Sequence, residues 1–277
     1  MSMLNNFINT LKYRLSKKSE PIFDNYKKII TDFTELTPKT QEPYDLNGRQ
    51  VYISGPSKYG LFVCDRLTQQ EKTDFYADYK EHYASWGGTP KYEWVYKSMA
   101  CNSYNKFRLD IYKPGRMIVK CTLPKYTWAS VWLYQSMNSG DFVKPWLLPI
   151  DKPIAPREYY FEIDTFETMM DNDTSERVSF SGHYGTQTNR QMKTGSICCW
   201  TDDSKPHFVE VVWDGTGNWT WILDSVVIQT KFISQPAEKI YPYLLLTLGM
   251  WDDYTKIQYP IMWKIDWIKI SDNIITL

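Results

Sequence analysis

From residue 91 to residue 270 the chain is cut into ten short runs, each apolar or alternating and each closed by turn-forming residues: 91–99, 105–112, 115–123, 128–134, 159–168, 176–184, 207–213, 219–231, 242–249 and 262–270. Runs this short, rich in β-branched and aromatic residues, are strands rather than helices. A strand that alternates buries one face only, so a series of them with little helix between must close as two antiparallel sheets packed face to face. The sequence therefore predicts an all-β, two-sheet sandwich. Upstream, Ile29-Ile30-Thr31-Asp32-Phe33 and the stretch from Gln50 to Val63 add further strands. Phe75, Tyr76 and Tyr79 recur at helical spacing inside the polar stretch 65–83, which places one helix in an insertion over 65–104. A length of 277 residues fits one large β domain, assigned here to 21–277.

Residues 1–20 stand apart. Leu4, Phe7, Ile8, Leu11 and Leu15 share a helical face, and Lys12, Arg14, Lys17 and Lys18 cluster behind them. Such a short basic amphipathic helix is suited to docking on a protein surface, which makes residues 1–18 a candidate attachment segment. The formal net charge is zero, so the chain advertises neither a nucleic acid nor an anionic membrane as partner. Five cysteines, Cys64, Cys101, Cys121, Cys198 and Cys199, are odd in number and follow neither a disulfide framework nor a zinc spacing. His82 and His207 have no ligand-spaced partners, so neither a metal nor another cofactor is expected. With no signal-peptide core or membrane-length apolar stretch visible, the sequence is expected to be synthesised in a reducing cytosol.

The densest chemistry lies in Glu162-Ile163-Asp164-Thr165-Phe166-Glu167, where three acids are separated by strand formers. Alternation puts Glu162 and Asp164 on one face, but strict alternation would put Phe166 there next, not Glu167. One extra residue, a β-bulge, corrects the phase and brings Glu167 round to join them. The Cα atoms of Glu162 and Glu167 would then lie about 13–16 Å apart, and side chains leaning inward shorten this to the about 5–5.5 Å of a retaining glycosidase pair. Asp is disfavoured in strands and clustered acids repel, so this arrangement carries an electrostatic cost that a plain solvated face would not need.

The flanking strands resemble glycoside hydrolase family 16, the laminarinase, lichenase, agarase and carrageenase group of concanavalin-like jelly rolls. The acid segment fits that family's bulged E-x-D-x-x-E pattern. Gly115-Arg116-Met117-Ile118-Val119-Lys120-Cys121-Thr122-Leu123-Pro124 is similar to G-R-F-E-x-R-x-K-L-P, and Trp128-Ala129-Ser130-Val131-Trp132-Leu133 to W-P-A-F-W-L. Downstream, Gly182-His183-Tyr184-Gly185 resembles H-[WY]-G, and Pro206 to Trp213 with Trp219 to Asp224 resembles F-H-x-Y-x-x-E-W followed by a W-Y-V-D-G hairpin. Tyr243 to Leu248 and Met262 to Ile270 look like the last two core strands, so the match runs in order over 105–271.

The resemblance implies roles: Glu162 as nucleophile, Glu167 as general acid and then base, Asp164 between them to tune the nucleophile. It also implies that the three pKa values are pushed apart. His183, Tyr160, Trp128, Trp132 and Lys120 become candidates for shaping the sugar subsites. Trp86, Trp146 and Trp200, in loop-like stretches, are candidates for stacking on sugars, whereas Trp213, Trp221, Trp263 and Trp267 sit in strands expected to fill the core. Three positions depart from the family: Phe161 stands where a small residue precedes the first Glu, and Ile118 and Lys120 replace a Glu and an Arg expected on the cleft floor.

Two functions of different class follow. One is an endo-acting retaining glycanase on a β-linked polysaccharide, which needs both Glu162 and Glu167. The other is a carbohydrate-binding or structural module that needs neither. Cytosolic synthesis and a polymer substrate are reconciled if the protein is assembled into a phage virion and released by lysis, with residues 1–18 as the attachment element; the alternative is an extracellular enzyme exported by an atypical route. Deleting residues 1–18 is then expected to leave a folded domain that no longer co-purifies with assembled particles, and unchanged assembly would refute the attachment role.

Overall fold

In the computed structural model the alternating runs become antiparallel strands. The structure describes residues 26–38, 42–44, 50–75, 95–124, 127–136, 160–171, 175–186, 189–198, 205–236, 239–250, 258–271 and 273–276. The proposed attachment helix at 1–18 lies outside them, as do Cys199, Trp86, Trp146 and Trp200. Among the described residues no helix is long and apolar enough to cross a membrane. Residues 69–75 are helical, within the stretch where a helix is expected.

The strands are β1 (Lys28–Ile30), β2 (Thr37–Pro38), β3 (Glu42–Tyr44), β4 (Gln50–Ser54), β5 (Leu61–Arg66), β6 (Tyr96–Asn102), β7 (Phe107–Leu109), β8 (Gly115–Cys121) and β9 (Trp128–Ser136). They continue as β10 (Tyr160–Asp171), β11 (Ser175–Thr186), β12 (Asn189–Cys198), β13 (His207–Trp213), β14 (Asn218–Leu223), β15 (Val226–Phe232), β16 (Tyr243–Gly249), β17 (Ile261–Ile270) and β18 (Ile274–Thr276). Their hydrogen-bonded order is β12-β11-β10-β9-β16-β6-β5-β17-β8-β13-β14-β15. This ribbon folds over at the β6–β5 junction, where only Asp65↔Lys97 and Arg66↔Tyr96 pair. The front layer is β12-β11-β10-β9-β16-β6 and the back layer is β5-β17-β8-β13-β14-β15. The two close over one core as a jelly-roll sandwich, the fold class that the alternation predicts.

The core is built from every second residue of both layers. Phe161, Ile163 and Phe166 of β10 meet Trp219 and Trp263 of the back layer, with ring centroids 6.0 Å apart for both Phe161–Trp219 and Phe166–Trp263. Trp213, Trp221 and Trp263 are buried as expected, and Trp219 joins them. Gly115 shows how tight the packing is: a Cβ there would lie 2.2 Å from a Trp213 ring carbon. This contact supplies a physical reason for glycine at the start of β8.

Three features depart from the sequence expectation. Residues 189–198, which belong to none of the ten runs, pair along their whole length with β11 as a strand at the edge of the front layer. The single run 219–231 is two strands joined at Asp224 and Ser225, which both have positive φ (46° and 70°). A two-residue hairpin turn of this kind matches the twist of its strands, and Asp tolerates the left-handed conformation. Trp267 is half-buried on the outer side of the back layer, 6.0 Å from the Phe208 ring. Its phase changes because β17 carries a register shift between Ile265 and Trp267, so the core positions become Ile268 and Ile270. In addition, residues 96–102, at the end of the stretch assigned to an insertion, form β6, where Tyr96, Ala100 and Cys101 are buried in the sandwich itself.

Cys64, Cys101 and Cys121 are buried free thiols, as the odd, unpatterned cysteines suggested for these three. Burial pushes the Cys64 thiol up to about 12 and raises those of Cys101 and Cys121 as well. A group whose pKa is raised on folding stabilises the fold below its unfolded pKa and loses that contribution as pH rises toward the folded value. Unfolding free energy is therefore expected to fall from about pH 9 upward, by about 1.4 kcal/mol per pH unit for each thiol that stays protonated only in the folded state. Urea titrations at pH 8, 9 and 10 check this, and serine or alanine at the three positions should flatten the decline.

Candidate active site

The site begins with a backbone irregularity. Along β10 the pairing with β11 runs in register through Asp164↔Ser181, then resumes at Glu167↔Ser179, and the pairing with β9 shifts between Asp164 and Phe166. This is the bulge that the acid spacing requires. Its consequence is visible in burial: Phe161, Ile163 and Phe166 belong to the core, while Glu162, Asp164 and Glu167 take the other face. The bulge disrupts the ladder locally, where buried backbone groups need partners. Trp221 of the back layer donates Nε1–H to the Asp164 carbonyl oxygen at 2.8 Å across the core.

Cross-strand registers then lay out the outer face of the front layer as rows. Glu162 stands between His183 on β11 and Tyr134 on β9, with Tyr243 of β16 beyond Tyr134. Asp164 stands between Ser181 and Trp132, and Glu167 between Ser179 and Ser130, with Thr247 beyond. Neighbours in a row are one strand spacing apart, about 4.8 Å.

Asp164 is 1% exposed, Glu162 8% and His183 9%, so this is a buried polar cluster. Charge this far from water requires partners. Ser181 Oγ donates to Asp164 Oδ2 at 2.8 Å, and His183 Nε2 lies 3.2 Å from the same oxygen and 3.7 Å from Glu162 Oε1. Glu167 is less buried, and Trp128 Nε1–H donates to its Oε1 at 2.9 Å. The ligand atoms of Glu162, Asp164 and His183 all lie within 4.8 Å of one another, a mixed oxygen and nitrogen set of the kind that divalent cations accept. Sequence spacing alone gave no sign of it, because the imidazole comes from the neighbouring strand.

Of the residues singled out in the sequence, the structure brings Glu162, Asp164, Glu167, His183, Trp128 and Trp132 to one face. Trp128 is 3% exposed and serves Glu167 as a hydrogen-bond donor rather than as an open stacking platform. Tyr160 continues β10 opposite Gly185 and Ser136, with its side chain outside the described residues, as is the whole of Trp200. Lys120 is not brought there. It lies on β8 in the back layer, its Nζ 3.3 Å from Asp266 Oδ2 and 5.9 Å from the Phe208 ring centroid. Met117, Val119 and Cys121 take the core side of β8, so alternation sends Ile118 and Lys120 to the outside, away from the acids. Phe161, the other departure, is fully buried on the core side and takes no place on the acid face.

Sequence reasoning did not name Ser181 or Tyr134, and it named Trp221 only as a core residue, not as a partner of the acid strand. The first two carry a signal, since Ser181 precedes His183 by two and Tyr134 follows Trp132 by two, the spacing of one strand face. Trp221 carries none, because its partner lies in the opposite layer.

Neither a protein-family model nor a curated protein matches the chain. Solved structures do. A glycoside hydrolase family 16 endo-glucanase from Bacteroides ovatus superposes with a TM-score of 0.55 at 20% identity, over 85% of this chain and 94% of that one. An endo-acting O-glycanase from the human gut microbiota gives 0.64 at 16% identity, over 93% and 94%. The kappa-carrageenase of Pseudoalteromonas carrageenovora gives 0.53 at 11% identity, over 94% and 100%. At these identities the likeness is one of fold: the chain has the glycoside hydrolase family 16 fold, in a divergent sequence.

The pin between the layers is testable. Trp221→Phe removes the donor to the bulge carbonyl, and Trp219→Phe is the control, because the Trp219 indole N–H is buried without an acceptor. Trp221→Phe is expected to cost about 1–3 kcal/mol more than Trp219→Phe, the penalty of an orphaned buried carbonyl. Urea unfolding midpoints at constant m-value measure the difference.

Proposed function

We propose that the protein is an endo-acting, retaining glycoside hydrolase that cleaves a β-linked polysaccharide by double displacement. The observation that carries this reading is the register shift in β10, which turns Glu167 to the face that already holds Glu162 and Asp164. Glu162 attacks the anomeric carbon while Glu167 protonates the departing glycosidic oxygen. Glu167, now a carboxylate, takes a proton from water, which attacks the anomeric carbon and releases Glu162.

The neighbouring groups suit these tasks. The Trp128 indole N–H, 2.9 Å from Glu167 Oε1, orients the carboxyl that exchanges the proton. Asp164, held by Ser181 and facing His183, sits between the two glutamates, where its charge state adjusts that of Glu162. His183 Nε2 lies 3.2 Å from Asp164 Oδ2 and 3.7 Å from Glu162 Oε1, so a positive charge on the ring would act on both carboxylates. Support also comes from fold neighbours whose structures are of an endo-glucanase bound to an oligosaccharide derivative and a carrageenase bound to an oligotetrasaccharide. The polysaccharide partner follows from the same reading.

Reducing-sugar release from a panel of β-glucans, galactans and capsular polysaccharides tests the proposal. Release by the wild type is expected from at least one polymer, and Glu162→Gln is expected to lower kcat by several orders of magnitude while leaving binding in place. Polymer binding with no release by the wild type would replace the enzyme with a carbohydrate-binding module.

A further inference from the structure

From Glu162 the row across the front layer becomes aromatic. Tyr134 is its cross-strand partner, Tyr243 is the partner of Tyr134, and the Tyr104 ring meets the Tyr243 ring edge-on at 5.5 Å. Trp132 and Leu245 complete this cluster, which is separate from the main core. At its far end stands Arg108. Its guanidinium carbon lies 4.2 Å from the Tyr104 ring centroid and 5.2 Å from that of Tyr243. Nε donates to the Tyr104 carbonyl at 3.2 Å, and Nη1 donates to Gln135 Oε1 at 2.9 Å and the Tyr241 carbonyl at 3.2 Å.

All of these partners are neutral. Arg116 on β8, by contrast, pairs with the Glu210 carboxylate of the neighbouring strand. Arg108 has no carboxylate partner among the described residues, and its Nη2 donates to none of them. Its position is fixed by two rings and three hydrogen bonds, so a ligand would bind it without first ordering it. An arginine held in this way presents its remaining N–H donors and full charge to a planar or tetrahedral anion.

We infer that Arg108 is a specificity-determining residue for an anionic substituent, a sulfate or a carboxylate, on the polysaccharide. This rests on the hydrolase reading and narrows it to a charged glycan. Position supports it as well. Glu162 and Tyr243 are separated by two strand spacings, about 9–10 Å, so the anion belongs to a sugar unit beyond the one being cut. There it is removed from the three carboxylates that would repel it at the cleavage point.

Binding is measured with full-length Glu162→Gln, which separates recognition from turnover. Affinity electrophoresis against a sulfated galactan, a polyuronate and a neutral β-glucan, at low and high salt, gives the readout. Retention by one of the charged polymers is expected, weakening as salt rises, and which polymer is retained names the anion. Adding Arg108→Gln should weaken that binding at least tenfold and leave the neutral glucan unaffected. Arg108→Lys keeps the charge without the fork, should recover only part of the affinity, and serves if Arg108→Gln fails to fold. Equal losses for charged and neutral polymers, no change on substitution, or no binding to either charged polymer would each overturn the inference. Charged-polymer binding that depends on Arg108, in a wild type that releases no sugar, would remove the hydrolase and leave the anion site standing.

Discussion

The fold and the site meet in one hydrogen bond, from the Trp221 indole to the carbonyl of Asp164. A bulge in a central strand disrupts the ladder locally, and buried backbone groups there need partners. Trp221 ties the bulged strand to the opposite layer with one such bond. Because of the bulge, one strand can send Phe161, Ile163 and Phe166 inward and Glu162, Asp164 and Glu167 outward. The core aromatics thus stabilise the sandwich and also hold the phase on which three converging carboxylates depend.

Around that pin the site is layered by distance from water. Asp164 is the most buried acid and carries the most described polar contacts, from Ser181 and His183. Glu167, the least buried of the three, accepts from the Trp128 indole. A group that exchanges protons with substrate and solvent needs this accessibility, whereas a group that only adjusts its neighbour's charge does not. The three departures from the family pattern recede on this view. Phe161 packs under the site against Trp219, and Ile118 and Lys120 belong to the outside of the other layer. What distinguishes the acid face is the tyrosine row leading to Arg108, which no motif comparison pointed to.

Much of this was legible in the residues. Alternation predicted the sandwich because a strand's period of two is a local property. The spacing of the three acids required a bulge for the same local reason, and the bulge is there. His183 and Trp128 were drawn in by resemblance and reach the acids. Lys120 was misplaced because strand order is not local: β8 pairs with β13 and β17, and nothing within its own run says so. Trp267 was misplaced by a second bulge, which the strict alternation of Trp263, Ile265 and Trp267 concealed.

The sequence by itself determined which residues alternate, where the phase must break and which acids share a face, since each follows from backbone geometry over a few residues. Tertiary structure alone decided that Trp221 reaches the bulged strand, that Lys120 lies behind the core, and that Arg108 closes the aromatic row without a carboxylate among its described partners. Of those contacts, Arg108 to Gln135 spans 27 positions, Trp221 to Asp164 57, and Lys120 to Asp266 146. Only the folding-over of the sheet at β6 and β5 and the packing of its two layers bring such residues within a bond length of choice.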